Sequence, residues 1–213
     1  MTDLQFAIFD LDDTLYPRDA GVMPAIGARI HQYMVERLGL EEERARSLRQ
    51  TYLARYGTTM RGLLVHHHID PEDYLQYVHL VPLADLLRPA PRLDAALSEI
   101  KAEKLIFTNA TREHARRVLH TLGIERHFTR IVDIRDMDYR SKPHPAAYAK
   151  LLELLRARPP ACLLVDDSAR NLWPARELGM ITVLVGDGHP AEGVDFVIEE
   201  IAEISEVVKR LGV

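Results

Sequence analysis

Four short, uninterrupted apolar runs constrain the fold of this chain more than any other feature of its sequence. They lie at residues 6–9, 105–107, 162–165 and 181–185, and a weaker fifth lies at 131–132. Runs without polar alternation are typical of strands in a parallel sheet, because helices cover both of its faces. From about residue 91 onward, the segments between the runs repeat apolar residues at helical spacing. We therefore predict an α/β fold with a doubly wound, Rossmann-like parallel sheet.

Residues 18–89 follow a different pattern, because their apolar residues recur at helical spacing and no convincing strand interrupts them. Ile26, Ile30 and Tyr33 form one such stripe, and the pair Asp70-Pro71 is a good start for another helix. A loop of this length without secondary structure would be unusual. We therefore predict a small all-helical cap domain at residues 18–89, inserted into a core domain formed by residues 1–17 and 90–213.

Polar side chains that can take part in catalysis or ligand binding lie at or near the ends of the predicted strands. They are Asp10 and Asp12, Thr108 and Asn109, Lys142, and Asp166 and Asp167. Since ligands bind at the carboxyl ends of the strands in an open α/β sheet, we expect these side chains to meet at one edge. Acidic oxygens with room for water suit Mg²⁺. A metal and a lysine that offset charge on a transferred group are what phosphoryl transfer requires.

The order of these residues resembles the four motifs of the haloacid dehalogenase superfamily. The motifs read Asp10-x-Asp12-x-Thr14, then Thr108, then Lys142-Pro143, then Asp166-Asp167. The resemblance spans the whole chain, and the helical insertion looks like that superfamily's type 1 cap. It implies that Asp10 attacks phosphorus and forms an aspartyl-phosphate. It also implies that Asp12 protonates the leaving alkoxide and later removes a proton from the hydrolytic water.

The same resemblance implies a Mg²⁺ site and its ligands. The side chains of Asp10 and Asp167 would ligate the ion, together with the backbone carbonyl of Asp12. Asp166 would ligate it either directly or through a water molecule, and both alternatives stay open.

A phosphate site is the second implication of the resemblance. Thr108 and the backbone amide of Asn109 would hold phosphate oxygens, while Lys142 would add a positive charge between nucleophile and phosphate. True dehalogenases of this fold need no acid for the leaving group and typically lack a carboxylate at the position of Asp12. The carboxylate therefore favours a phosphate ester as the substrate.

The motif variants further resemble those of the pyrimidine 5′-nucleotidase group, at residues 12–16, 56–63 and 165–172. This resemblance implies a small phosphorylated metabolite as the substrate, a nucleotide or a sugar phosphate, with pyrimidine nucleoside 5′-monophosphates as the specific expectation. Two alternatives stay open. One is a sugar-phosphate mutase, and the other is a non-catalytic binding protein, which would be expected to lack at least one of Asp10, Asp12, Lys142 and Asp167.

Charge and hydropathy exclude several other functions. The chain has 27 Lys and Arg against 32 Asp and Glu, a formal net charge of −5, whereas a nucleic-acid backbone rewards a basic surface. No stretch approaches the roughly 20 apolar residues of a membrane span, and we expect no signal peptide. The single cysteine, Cys162, lies in an apolar run and is interpreted as a core residue. We therefore expect a cytoplasmic protein that binds neither nucleic acid nor a membrane.

In the predicted cap, His66, His67 and His68 are consecutive, so they would point in different directions on a helix. We interpret them as the end of a cap helix and not as a zinc site. For Arg61 two interpretations stay open, a contact with a nucleobase or phosphate and a plain surface position. Arg140 is interpreted as a surface residue.

Overall fold

One parallel sheet organises the chain in the computed structural model, which describes residues 4–186 and 192–212. Its order is β3-β2-β1-β4-β5-β6, and every neighbouring pair is parallel. The strands are β1 Phe6–Phe9, β2 Glu103–Phe107, β3 Phe128–Val132, β4 Cys162–Asp166, β5 Ile181–Val185 and β6 Phe196–Ile198. The order reverses between β1 and β4, which confirms the predicted doubly wound sheet.

Both edge strands differ from the sequence prediction. Strand β6 was not predicted, because a run of three apolar residues is too short for periodicity to separate a strand from a helix. Strand β3 extends beyond the predicted pair Ile131-Val132 to Phe128, and its residues Thr129 and Arg130 are exposed. An edge strand pairs on one side only, so it needs no continuous apolar run.

Helices occupy the predicted cap and both faces of the sheet. Those between β1 and β2 are α1 Val22–Glu36, α2 Glu42–Tyr56, α3 Thr59–His67, α4 Pro71–Val78, α5 Leu83–Leu86 and α6 Pro91–Glu99. Those that follow β2 are α7 Arg112–Leu122, α8 Pro145–Leu155, α9 Ala169–Glu177 and α10 Ile204–Arg210. Asp70 caps α4 as expected, because its side chain accepts a hydrogen bond from the backbone of Glu72.

The two faces of the sheet belong to two buried apolar clusters. In β1, Ala7 and Phe9 lie in the cluster that contains α10, whereas Ile8 lies in the cluster that contains α8 and α9. Each cluster also includes cap residues, among them Val22 in the first and Leu63 in the second. The cap therefore packs on the core through apolar contacts with both clusters. The predicted domain boundaries, 18 and 89, stay a prediction.

Polar contacts also join α4 of the cap to the loop that follows β3. The Arg135 guanidinium donates to both carboxylate oxygens of Glu72, with Nη2–Oε2 at 2.8 Å, and the Tyr139 hydroxyl donates to Oε1 at 2.6 Å. We call Glu72, Arg135 and Tyr139 the cap latch. Among the described residues, no helix is both long and apolar enough to span a membrane.

Candidate active site

The predicted site residues converge where β1 and β4 end, at the point where the strand order reverses. Asp10 follows β1 directly and Asp166 is the last residue of β4. Between them the buried Lys142 ammonium donates to Asp10 Oδ1 at 2.8 Å and to Asp166 Oδ2 at 2.7 Å. We call the four carboxylates Asp10, Asp12, Asp166 and Asp167 the acidic edge.

Thr14 connects the loops that follow β1 and β4. Its hydroxyl donates to Asp10 Oδ2 at 3.2 Å and accepts from the backbone N–H of Asp167 at 3.0 Å. Asn171, in the first turn of α9, donates to Asp166 Oδ1 at 2.9 Å. Hydrogen bonds from three separate segments of the chain therefore fix the orientation of the Asp10 and Asp166 carboxylates.

Three of these carboxylates are close enough together to hold a cation. Oxygens of Asp10, Asp166 and Asp167 lie within 4.8 Å of one another. Burial raises the pKa of Asp10, Lys142 lowers it, and the charge of Asp166 raises it again. Burial and the charge of Asp166 also raise the pKa of Asp167, against the opposing effect of Arg18, which donates to Asp167 Oδ2 at 2.7 Å. Buried, mutually repelling carboxylates are a donor set that fits a hard divalent cation.

Asp12 has a different environment, and its side chain is not part of this three-carboxylate group. Its Oδ1 accepts from the Tyr16 hydroxyl at 2.6 Å and lies 3.0 Å from Nε2 of the buried His114. Burial raises the pKa of Asp12, but the charge of His114 and the hydrogen bonds from His114 and Tyr16 more than offset it, so the net pKa is lowered. The ring of His79 stacks on His114 with centroids 4.5 Å apart.

Thr108 and Asn109 follow β2 and line the same cavity as Asp10. The Thr108 hydroxyl accepts from the backbone N–H of Ala110 at 3.0 Å. The Asn109 side chain donates to the carbonyl of Lys142 at 3.2 Å and accepts from its N–H at 2.8 Å. This pair of hydrogen bonds fixes the loop that carries Lys142, a side-chain role that the sequence analysis did not predict.

Tyr16 and His114 were also missed by the sequence analysis, although each has a recognisable position in the sequence. Tyr16 is four residues beyond Asp12. His114 lies in the first turn of α7, which begins shortly after β2 ends, and its backbone N–H is capped by the Thr111 side chain. A histidine in the first turn of a helix that follows a strand lies close to the carboxyl edge of the sheet.

A cavity of about 300 Å³ separates this edge from the cap. Its core side includes Asp10, Asp12, Thr108 and Asn109. Its cap side includes Gly57, Thr58, Thr59 and His79 and a further group, which we call the cap wall, formed by Met23, Ile26, Ile30, Arg49, Leu53, Met60, Tyr74, Leu75 and Val78. Among the described residues, Arg49 lines this cavity, whereas Arg61 and Arg140 do not.

The three consecutive histidines lie at the end of α3, as predicted. His66 Nε2 lies 2.7 Å from the Tyr56 hydroxyl, and His67 Nε2 lies 3.0 Å from that of Tyr52. His68 is the C-terminal capping residue of the helix. Cys162 is buried, and burial raises the pKa of its thiol to about 11, in agreement with a core position.

The chain belongs to the haloacid dehalogenase-like hydrolase family, because that family's sequence model matches residues 5–179, which contain every predicted site residue. It is 30% identical over 190 residues to phosphate metabolism protein 8 of Saccharomyces cerevisiae, a match that covers 81% of this chain and 58% of the yeast protein. It is 28% identical over 222 residues to the glyceraldehyde 3-phosphate phosphatase of Methanocaldococcus jannaschii, and that match covers 96% of each protein.

Solved structures agree with the fold. The match to the crystal structure of a predicted phosphoglycolate phosphatase from Haemophilus somnus 129pt covers 98% of this chain and 99% of that protein's chain. Its TM-score is 0.69 and the sequence identity is 18%. An identity this low supports the architecture alone. The chain thus combines the fold and the sequence of a haloacid dehalogenase-like hydrolase with an acidic cluster that is compatible with a divalent cation.

Proposed function

We propose that this chain is a Mg²⁺-dependent phosphatase that hydrolyses a small phosphomonoester through an aspartyl-phosphate on Asp10. The observation that carries the proposal is the buried Lys142 ammonium, which bridges Asp10 and Asp166 within a three-carboxylate cluster at the end of β1. A carboxylate held next to a lysine and a cation site suits attack on an anionic phosphoryl group, since both cations offset the charge that accumulates there.

The proposed Mg²⁺ site uses the side chains of Asp10, Asp166 and Asp167, and the backbone carbonyl of Asp12. The donor set supports this assignment, because the pKa values of Asp10 and Asp167 are raised and a divalent cation stabilises such carboxylates as anions. When bound, the ion offsets negative charge on the phosphoryl oxygens.

In the first proposed step, Asp10 attacks phosphorus and the bond from phosphorus to the ester oxygen breaks. Lys142 and Thr14 orient the attacking carboxylate, with one contact to each of its oxygens. Asp12 acts here in its protonated form and gives its proton to the departing alkoxide, so that the alcohol leaves as a neutral molecule and Asp12 becomes a carboxylate.

In the second step, water attacks the phosphorus of the aspartyl-phosphate, and Asp12 accepts the proton that the water loses. The bond from phosphorus to the Asp10 oxygen then breaks and inorganic phosphate is released. Tyr16 and His114 lower the pKa of Asp12, which favours the ionised carboxylate that has to accept this proton. We also propose that residues 18–89 act as the cap that closes the cavity over the substrate.

For the substrate class we propose pyrimidine nucleoside 5′-monophosphates, such as UMP and CMP. Two kinds of observation support this choice. The motif variants at residues 12–16, 56–63 and 165–172 resemble those of pyrimidine 5′-nucleotidases. The cap wall supplies apolar side chains, including Ile26 and Leu75, against which a planar base can pack.

The test is phosphate release from nucleotides and sugar phosphates, measured with Mg²⁺ and with EDTA. We expect Mg²⁺-dependent release that is fastest with UMP and CMP. Faster release from glyceraldehyde 3-phosphate or ribose 5-phosphate would retain the mechanism and refute the nucleotide assignment. Interconversion of sugar phosphates without net release would indicate a mutase, and no turnover of any probe would refute the enzyme assignment.

A further inference from the structure

Arg49 is a half-buried cation in the cap wall whose charge has no partner among the described residues. It lies in α2 and lines the cavity opposite Asp10. Two other cap arginines have partners of this kind. Arg29 donates to the carbonyl of Tyr77, and Arg46 pairs with Glu42 and Glu43. Across residues 4–186 and 192–212, by contrast, no hydrogen bond or ion pair is found for the Arg49 guanidinium.

The position of this guanidinium depends on a glycine in the neighbouring helix. A Cβ added at Gly27, in the interior of α1, would clash with Arg49 Nη2 at the end of the arginine side chain. Glycine in a helix interior costs about 1 kcal/mol relative to alanine. Here the missing side chain provides the space in which the guanidinium lies against α1.

The surroundings of Arg49 are mostly apolar. Ile26, Ile30 and Leu53 line the same part of the cavity, and Tyr74 is buried nearby. Tyr74 lines the same cavity as Arg49, and the charge of Arg49 opposes the rise that burial causes in the pKa of Tyr74. A charged group in such surroundings is costly unless a hydrogen-bond acceptor meets it.

We propose that Arg49 binds a second oxygen acceptor on the organic part of the substrate, a carboxylate or a conjugated carbonyl. The inference rests on the proposed phosphatase function and adds the requirement that the substrate carries this second acceptor. The phosphate occupies the acidic edge, the acceptor meets the planar guanidinium fork, and the apolar body of the substrate packs on the cap wall. Carboxylate and carbonyl oxygens share the lone pairs that this fork recognises, and a carboxylate adds charge.

Matched pairs of substrates separate the two acceptors. Phenyl phosphate and 3-carboxyphenyl phosphate differ by a carboxylate on the same apolar body. Ribose 5-phosphate and UMP differ by a base that carries conjugated carbonyls. For Arg49→Met we expect kcat/KM to fall about 10- to 100-fold for the acceptor-bearing member of at least one pair, the loss of a charged hydrogen bond. For phenyl phosphate and ribose 5-phosphate we expect a change below about threefold.

Two further variants make the test specific. Arg49→Lys keeps the charge without the fork, and it should recover part of the loss for 3-carboxyphenyl phosphate. Arg46→Met, an exposed arginine on the same helix that does not line the cavity, should change none of the four substrates. An equal loss for all four substrates with Arg49→Met and Arg49→Lys, or no loss for any, would overturn the proposal.

Binding without turnover distinguishes failure of this inference from failure of the proposed function. Calorimetry with Asp10→Asn and with Asp10→Asn/Arg49→Met measures the affinity for the same four phosphates. A selective loss of affinity for UMP or 3-carboxyphenyl phosphate in the double variant supports the subsite even if the wild-type protein releases no phosphate. Equal affinity of the two variants for all four compounds overturns it.

Discussion

The acidic edge and the cap wall face each other across one cavity but differ in how their charges are satisfied. On the edge, every carboxylate accepts hydrogen bonds from the protein, as Asp10 does from Lys142 and Thr14, and Asp12 from Tyr16. On the wall, the charge of Arg49 meets no acceptor among the described residues. The edge is therefore arranged before a substrate binds, which is how electrostatic catalysis gains its strength. Under the proposal for Arg49, the substrate supplies the acceptor that the wall lacks.

The largest effect should come from the edge itself. Asp10→Asn is nearly isosteric but removes the proposed nucleophile, so we expect kcat to fall on the order of 10⁵-fold for every substrate. Steady-state phosphate release with Mg²⁺ measures it, and circular dichroism checks that the fold is retained. The exposed Asp19 provides a control, since Asp19→Asn should retain full activity. A loss of kcat that differed among substrates would contradict the proposed separation between catalysis at the acidic edge and substrate selection at the cap wall.

Asp12→Asn should have the next largest effect. An amide cannot give or take the proton, so we expect kcat to fall about 10²- to 10⁴-fold for alkyl phosphates. In pre-steady-state release of the alcohol, which reports only the first step, the fall should be much smaller for 4-nitrophenyl phosphate, whose leaving group needs no proton. Comparing the two substrates in the same variant measures the acid role. Equal losses for both would place Asp12 in phosphate or metal binding instead.

His114 should matter less, because it acts through Asp12. Removing its contact with Asp12 Oδ1 in His114→Ala should reduce kcat about tenfold for alkyl phosphates, the scale of one charge-assisted hydrogen bond, with KM unchanged. His114→Gln keeps an N–H donor and should recover most of the loss. If both variants lose stability and activity in parallel for aryl and alkyl phosphates alike, then His114 serves packing alone.

The smallest effect should come from the cap latch, which joins the two regions. Glu72→Gln should lower the free energy of unfolding by at most about 1 kcal/mol at pH 7, because the pair is partly exposed. Hydrogen bonds from Arg135 and Tyr139 lower the pKa of Glu72 from 4.5 to about 2. A carboxyl group whose pKa is lowered in the folded state stabilises the fold at pH values above its ordinary pKa. The difference in the free energy of unfolding between wild type and Glu72→Gln should therefore shrink as the pH falls from about 4.5 towards 2.

Denaturant unfolding at several pH values measures this difference. Glu113→Gln is the matched control, because Glu113 also accepts from Arg135, at 2.8 Å, but lies in the core helix α7. Only Glu72→Gln should raise the KM, since only Glu72 belongs to the cap. A raised KM in both variants would show that Arg135, and not the contact between cap and core, is responsible.

The acidic edge was predictable because topology and chemistry agree there. Parallel strands bring their carboxyl ends together whatever the intervening sequence, so Asp10 and Asp166 had to be neighbours once β1 and β4 were recognised. Lys142 lies in the loop between β3 and α8, so its contact with Asp10 was expected from the family resemblance alone, and its contact with Asp166 was not predicted. His114 was not found, because a histidine in the first turn of a helix fits a buried packing position as well as a contact with Asp12.

The cap wall was less predictable, because helical periodicity gives the buried face of each helix but not what that face meets. In α2, Ala45, Arg49 and Tyr52 are spaced four and three residues apart, so they share one face. That spacing distinguishes Arg49 from the other arginines of the helix. Which cavity it lines depends on how α1, α2 and α4 pack together, and long-range packing has no signature within a single helix.

Gly27 has a consequence for how the sequence of this protein can evolve. A single methyl group at this position would displace Arg49, while every group on the acidic edge would keep its partners. The proposed catalytic residues and the proposed substrate contact of Arg49 therefore lie on separate segments of the chain. Under these proposals, one codon in α1 would alter the choice of substrate and leave the proposed catalytic residues in place.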